Sequence, residues 1–329
     1  MQAQLIALDW GTTSLRAYKL AAGGVVLEQR ALSSGIMQLP KTPRVIHGGE
    51  CADGFELAFE EACGDWLEAQ PDLPVIACGM VGSAQGWREA AYCETPANVA
   101  NLGNSLQTLV SLRGTRVHIV PGVIQRSRLP NVMRGEETQV LGVLQNLPAE
   151  AGGDLLIGLP GSHSKWVKVV EGRITHFDTF MTGEVFAVLS EHSILGRTQQ
   201  QGAAFDGLAF DRGVQVALSA DGELGVLSTL FSARTLGLTG ELAPTAQADY
   251  LSGLMIGHEL VALAAAQRRR RNSAHLPSII LIGNAQLCAR YGRALDACGF
   301  ARVTLAEQAT ERGLWQLALA AGLLDSLSR

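Results

Sequence analysis

Two short strings, Gly11-Thr12-Thr13-Ser14 and Gly161-Ser162-His163-Ser164, stand at an offset of 150 residues, each at the tip of an apolar strand, a tight turn and a returning strand. In the first, Leu5-Ile6-Ala7-Leu8 runs into Asp9 and Trp10, turns at Gly11 and comes back through Leu15–Tyr18. In the second, Asp154–Leu159 leads to Pro160 and Gly161, and Lys165–Val170 returns. The order of predicted elements then repeats. Val25–Arg30 and Arg173–Phe177 are third strands behind turns at Gly23-Gly24 and Gly172. In the first half Asp53 can cap a helix with Phe55, Phe59, Ala62, Cys63, Trp66 and Leu67 on one face. The strand Pro74–Cys78, a helix over Val99–Leu112 and the strand Arg116–Val120 follow. The second half continues with helical segments over 183–271, a strand Ser278–Ile282, a helix over 284–298 and a strand Arg302–Leu305. A shared order β-β-β-α-β-α-β predicts a duplicated α/β unit. At 329 residues the chain exceeds one typical domain. The expected domains are 1–140 and 141–329, sharing a cleft, with a last helix near Thr310–Leu327 able to pack back on the first.

The turns carry the chemistry. Backbone N–H groups around a glycine, with Thr and Ser hydroxyls, make a concave donor site for phosphate oxygens. Two such turns facing each other can grip successive phosphates of one nucleotide. Asp9, at a strand end beside the first turn, is suited to a hydrated Mg²⁺. Its counterpart is Leu159, so the acid belongs to the first copy and the second offers His163 and Lys165 instead. An ordinary polar hairpin has the same composition, and the strings alone leave that reading open. Other nucleotide motifs are excluded: no lysine follows a glycine, which removes the P-loop, and no G-x-G occurs, which removes the dinucleotide fingerprint and the protein-kinase glycine loop.

Composition narrows the partners. With a net charge of −5 and no long basic stripe, neither nucleic acid nor an anionic membrane is expected. Arg268–Arg271 end a predicted helix, where cations favour the helix dipole. The six cysteines show no C-x-x-C pairing and no histidine at zinc-finger spacing, as in reduced thiols of a cytosolic protein. Met1-Gln2-Ala3-Gln4 leads straight into a strand and no uncharged apolar run of about 18 residues occurs, so a cytoplasmic location without a membrane span is expected.

Longer strings identify the chain more closely. Asp9–Arg16, Gly79-Met80-Val81-Gly82-Ser83, Met133–Gln139, Pro160–Val167, Met181–Glu184, His192–Gly196 and Tyr250–Leu254 run in one order over most of the chain. Together they resemble the 2-keto-3-deoxygalactonate kinases (2-dehydro-3-deoxygalactonokinases) of the sugar kinase, actin and heat-shock ATPase superfamily. Ser162 stands where that family leads one to expect threonine, and Asn131 where it leads one to expect aspartate.

The resemblance implies two ribonuclease-H-like domains with ATP in the cleft between them. It implies transfer of the ATP γ-phosphate to O6 of 2-dehydro-3-deoxy-D-galactonate, a sugar acid of D-galactonate catabolism. Asp9 would serve the Mg²⁺ side through water. Gly11, Thr12, Thr13 and Ser14 would cradle the transferred phosphate, opposite Gly161, Ser162, His163, Ser164 and Lys165. Gly283-Asn284 sits where the superfamily receives the adenosine, though a helix-start turn explains the same pair. Glu136, in Gly135-Glu136-Glu137-Thr138-Gln139, corresponds to the catalytic acid of related sugar kinases and would take the proton of the C6 hydroxyl. Glu137 is the alternative base, and favouring a helix N-terminus is the alternative role for both.

The polar loop Gly82–Arg88 offers Ser83, Gln85, Trp87 and Arg88 to the sugar acid, Arg88 to its carboxylate. Trp87 in the core and Arg88 on the surface are equally open. Ser34, Gly35, Thr182 and Glu184 are further candidates for sugar hydroxyls. His163, between two serines without an orienting acid nearby in sequence, is expected to serve structure or phosphate contact rather than nucleophilic catalysis. Two other functions suit the same fold: an ATP-driven switch with a client protein, and a polyphosphate hydrolase. A second copy of the chain, in a homodimer, is the macromolecular partner left open.

Overall fold

Strand β1 (Ala3–Trp10) is buried almost end to end, as a strand covered on both faces must be. The computed structural model describes residues 1–144, 155–200, 202–271, 275–300 and 302–324. β1 turns into the antiparallel β2 (Leu15–Ala21), with Asp9 opposite Arg16, and β3 (Val25–Leu32) pairs antiparallel with β2. A short hairpin of β4 (Arg44–Ile46) and β5 (Gly49–Cys51) precedes α1 (Gly54–Ala69). The Asp53 side chain caps α1 by accepting from the N–H groups of Phe55 and Glu56. The helix buries Phe59, Ala62, Cys63, Trp66 and Leu67 in a core shared with Ile6, Leu8 and Trp10 of β1. β6 (Val75–Gly79) then runs parallel to β1, pairing Cys78 with Asp9 and Gly79 with Trp10.

After β7 (Tyr92–Glu94) and α2 (Val99–Gly103), β8 (Gln107–Val110) and β9 (Arg116–Ile119) complete a sheet of order β3-β2-β1-β6-β9-β8. β10 (Gly122–Gln125) and β11 (Asn131–Met133) join β7 in a small sheet, and α3 (Glu136–Leu144) follows. The helix expected over Val99–Leu112 is thereby corrected. A capping box between Asn98 and Asn101 starts α2, but it ends after five residues. The β-branched Thr108 and Val110 suit an extended edge strand, which pairs antiparallel with β9.

The second sheet has the order β14-β13-β12-β15-β16, from β12 (Leu155–Leu159), β13 (Ser164–Val170), β14 (Arg173–Phe180), β15 (Ser278–Leu281) and β16 (Val303–Leu305). Between β14 and β15 lie α4 (Thr182–His192), α5 (Gly207–Leu218), α6 (Val226–Thr229), α7 (Ser232–Leu238) and α8 (Gln247–Arg271). α9 (Ala285–Ala297) precedes β16, and α10 (Ala309–Ala320) ends the fold. α5 and α8 touch backbone to backbone, because a Cβ on Gly253 would lie 1.9 Å from the Phe210 carbonyl oxygen. Trp166, Phe210, Ile256, Leu260 and Tyr291 fill the core below.

The chain packs as two units, Met1–Gly153 with Lys168–Phe177 and Glu307–Arg329, and Asp154–Val167 with Asp178–Ala306. The division is therefore more interleaved than a cut at 140. α10 belongs to the first unit, where Leu314, Trp315, Leu317 and Ala318 are buried. No described helix is long and apolar enough to cross a membrane, and the six cysteines are free thiols.

α10 meets α3 so closely that a Cβ on Gly313 would lie 1.9 Å from the Thr138 carbonyl oxygen. Gly313→Val should cost about 3 kcal/mol, lowering Tm in thermal unfolding by about 6–12 °C. Gly292, inside α9, has open space around it. Gly292→Ala should instead hold or raise Tm, since alanine favours a helix by up to about 1 kcal/mol.

Candidate active site

The first turn is held by the backbone around it. The Gly11 N–H donates to the Ser14 carbonyl at 2.9 Å, while the Gly11 and Thr12 carbonyls accept from Ile36 and Met37 at 3.1 and 3.0 Å. Gly35 lies against this turn so tightly that a Cβ there would be 2.4 Å from the Thr13 and Ser14 backbone. The Trp10 indole N–H donates to the Ser34 carbonyl at 2.8 Å. Ser34 and Gly35 thus support the turn from below, and Thr12 and Thr13 stand exposed at its tip.

Beside the tip, two glycine-dependent segments meet. Gly79 has φ +92°, and a Cβ there would sit 2.8 Å from the Trp10 carbonyl oxygen; Gly135 has φ +107° and packs on Gly79. Only residues without side chains fit both demands. The contact carries the start of α3, with Glu136 and Glu137, to the end of β1. Asp9 is half-buried there, with Arg16 at 3.7 Å from Oδ2. Burial pushes its carboxyl above the usual carboxylate range, Arg16 pulls it down, and the charges of Glu311 and Glu136 push it up again. The Cys78 thiol, fully buried, lies 4.0 Å from Asp9 Oδ1.

The two acids of α3 take different places. Glu136 is partly exposed, and its Oε2 accepts from the Arg134 N–H at 2.9 Å. Glu137 is fully buried; both its oxygens accept from the Gly135 N–H, at 2.9 and 2.8 Å, and Oε1 accepts from the Thr138 hydroxyl at 3.2 Å. Burial, followed by the charge of Glu136, pushes Glu137 up to about 8. Glu137 therefore braces the turn that presents Glu136.

The second turn, Gly161–Ser164, is set from both flanks. A Cβ on Gly183 would lie 2.4 Å from the Gly161 carbonyl oxygen, and the Glu184 N–H donates to the Ser162 carbonyl at 3.0 Å, so α4 starts on the turn itself. The Glu184 carboxylate meets His163 Nε2. Thr182 and Glu184 are thus partners of this turn, and the acid facing His163 comes from 21 residues away in sequence. Ser164 is buried with its hydroxyl on Tyr291 at 2.8 Å, and Lys165, also buried, donates to the His163 carbonyl at 3.2 Å. Ser164 and Lys165 thus stand on the inner side of the turn, while Gly161, Ser162 and His163 form its accessible surface.

Gly283, at φ +147°, approaches the Pro160 carbonyl, and the Asn284 carboxamide oxygen caps α9 through the N–H groups of Gln286 and Leu287. The pair thus opens α9, as the helix-start reading expects. Beside it a cavity of about 230 Å³ is lined by Gly161, Ser162, Phe186, Leu287, Arg290 and Tyr291 among others.

In the remaining loop, Trp87 stacks on Phe55 with ring centroids 6.1 Å apart and meets Trp10 edge-on at 5.7 Å. It is partly buried and packs against the core of the first unit. Arg88 and Gln85 are exposed, and Ser83 is partly buried.

Sequence reasoning missed Cys78 and Glu311 around Asp9, and the buried Glu259 of α8 behind the second turn. Glu259 accepts from Trp166 and Tyr291, at 2.7 and 2.8 Å, and from Thr182. Its signal was an acid between the largely apolar segments Leu254–Gly257 and Leu260–Ala266, where an unpartnered charge would not be tolerated.

A mixed α/β chain with a half-buried aspartate at one glycine turn and a braced serine and histidine turn in its other unit has the build of a small-molecule kinase. The family model of 2-keto-3-deoxy-galactonokinase matches residues 9–317, and this chain belongs to that family. It is 36% identical over 313 residues, 94% of each chain, to a Rhizobium meliloti (strain 1021) protein assigned as a 2-dehydro-3-deoxygalactonokinase. It is 34% identical over 303 residues, 91% of each chain, to the 2-dehydro-3-deoxygalactonokinase of Escherichia coli (strain K12). The crystal structure of a Sinorhizobium meliloti protein assigned the same activity matches with a TM-score of 0.82 and 34% identity, covering 96% of this chain and 98% of that one.

Glu137 makes stability depend on pH. Its folded-state pKa of about 8 lies above the ordinary 4.5, so the fold binds the proton more tightly than the unfolded chain does. The resulting stabilisation is complete below about 4.5 and is lost as pH rises through about 8. Glu137→Gln, which cannot ionise, should flatten this dependence: its Tm relative to the parent should climb steadily between pH 5 and 8 in thermal unfolding.

Proposed function

We propose that this chain is an ATP-dependent kinase that phosphorylates 2-dehydro-3-deoxy-D-galactonate at O6. The observation that carries the reading is the family match over residues 9–317, which spans both hairpin turns. The relatives named for this activity align over more than nine-tenths of the chain.

Within that reading, ATP is the phosphoryl donor. The exposed Gly11–Thr13 tip and the Gly161–His163 surface offer backbone and hydroxyl donors to its phosphates. The cavity beside Gly161, with Phe186 and Leu287 among its walls, has room and apolar surface for a purine. Glu136, exposed enough to meet a substrate and held by the Arg134 N–H, takes the proton from the C6 hydroxyl. The loop bearing Ser83, Gln85 and Arg88 offers polar contacts to the sugar acid, with Arg88 free to reach its carboxylate.

Asp9 fits Mg²⁺ on the character of its surroundings. Its carboxylate, with Glu136 and Glu311 adding to the negative field, creates a place that favours a cation. Among the described residues no cluster of three or more His, Cys, Asp or Glu could hold an ion by side chains alone. A divalent ion held by Asp9 would share its shell with water and phosphate oxygens, and when bound it would offset phosphate charge.

The common strand order supports a further reading, that the units are copies of one ribonuclease-H-like β-β-β-α-β-α-β fold. Third, second, first, fourth and fifth strands follow one another in both sheets, with β6 and β9 matching β15 and β16. An enzyme with these substrates and free thiols works in the cytoplasm.

Release of ADP, followed in a coupled assay with and without 2-dehydro-3-deoxy-D-galactonate, tests the activity. ADP formation should require the sugar acid, and release that ignores every sugar acid would overturn the reading. Asp9→Asn and Glu136→Gln should each lower kcat by about 10²-fold or more while keeping the parent's unfolding profile. Near-normal turnover of Glu136→Gln would place the base elsewhere.

A further inference from the structure

Behind the second turn, three proton donors converge on one acid. Glu259, in the apolar middle of α8, is 3% exposed. Its Oε1 accepts from the Trp166 indole N–H at 2.7 Å, and its Oε2 accepts from the Tyr291 hydroxyl at 2.8 Å and from the Thr182 hydroxyl. The one proton of Tyr291 is used in that bond, so its oxygen is left to accept from Ser164, 2.8 Å away. Ser164 and Trp166 lie on β13, Thr182 opens α4 and Tyr291 belongs to α9.

The donors are also the flanks of the turn. Ser164 closes Gly161–Ser164, and the residue after Thr182 is Gly183, packed on the Gly161 carbonyl. An acceptor-only carboxylate matches this arrangement and its amide does not. A glutamine would aim an N–H₂ at the indole N–H on one side or at the two hydroxyls on the other. Glu259, Ser164 and Trp166 are buried and do not line the cavity beside Gly161, whereas Thr182 and Tyr291 do, so the acid acts on that cavity through its donors.

We propose that Glu259 is the positioning residue of the second turn, fixing Gly161–Ser164 and the start of α4 in the geometry that receives the ATP phosphates. The assignment rests on the reading of that turn as part of the ATP site. It makes Glu259 a determinant of nucleotide affinity and leaves the sugar acid indifferent to it.

The test compares Glu259→Gln and Tyr291→Phe with the parent by separate KM values for ATP and sugar acid, and by calorimetric titration with ADP alone. Glu259→Gln should raise the KM for ATP and the Kd for ADP by at least ~10-fold, a misplacement effect. The KM for sugar acid, at saturating ATP, should stay within about two-fold, since the acid sets only the nucleotide side. Tyr291→Phe keeps the ring and the buried acid but cuts the link to Ser164. It should shift the same two quantities in the same direction by about 3- to 10-fold, and it decides the matter if Glu259→Gln does not fold. Unchanged ADP affinity in folded variants, or an equal rise in both KM values, would overturn the proposal. Gly161→Val separates the two levels. If it weakens ADP while Tyr291→Phe and Glu259→Gln do not, the positioning role fails; if none of them does, the turn is not part of the ATP site.

Discussion

Burying a carboxylate costs several kcal/mol unless donors replace its water, and both units of this chain meet that cost beside their hairpin turns. In the first, Glu137 draws in the Gly135 N–H and the Thr138 hydroxyl and fixes the entry to α3. In the second, Glu259 draws in side chains from β13, α4 and α9. The two solutions differ in kind. Glu137 is served locally and its proton is held to about pH 8, so it braces one turn of backbone. Glu259 is raised by burial, but the hydrogen bonds from Thr182, Trp166 and Tyr291 all favour its charged form. It ties together elements that would otherwise be linked by apolar packing alone.

Glycine supplies what the acids cannot, namely close approach. Gly79 lets the end of β6 reach the Trp10 backbone and Gly135 packs on Gly79, and this brings Glu136 to the same corner as Asp9. Gly183 does the same for α4 on the second turn. At Gly79 and Gly183 a methyl group would collide with backbone, which cannot rotate away as a side chain can, and at Gly135 the positive φ itself favours glycine. Asp9, Glu136 and the second turn are thus positioned by contacts between main chains.

Much of this arrangement was legible in the chain before any coordinates. The first hairpin, the Asp53 cap of α1 and the third strands follow from local alternation, from turn glycines and from capping chemistry, all of which act over a few residues. The stretch Val99–Leu112 was misread because its apolar residues suit either period; pairing with His118 and its neighbours on β9 made Thr108–Val110 a strand. Trp87 was open between core and ligand, and tertiary packing sets it partly buried against the aromatic cluster of Trp10, Phe55 and Phe59. Ser164 and Lys165 looked like part of a phosphate loop because sequence records which residues form a turn and says little about which of them point inward.

Alone, the sequence determined the class of fold, the two glycine turns and the family, because each rests on residue order and on strings that need no partner. Tertiary structure decided which residues of those turns are accessible, which acid of the Glu136-Glu137 pair is exposed, and that Trp166, Thr182, Tyr291 and Glu259 share one hydrogen-bonded centre. Those four span more than a hundred positions, and nothing in local chemistry signals their meeting. Only the packing of α8 against β13, α4 and α9 removes water from the carboxylate and leaves these side chains as its donors.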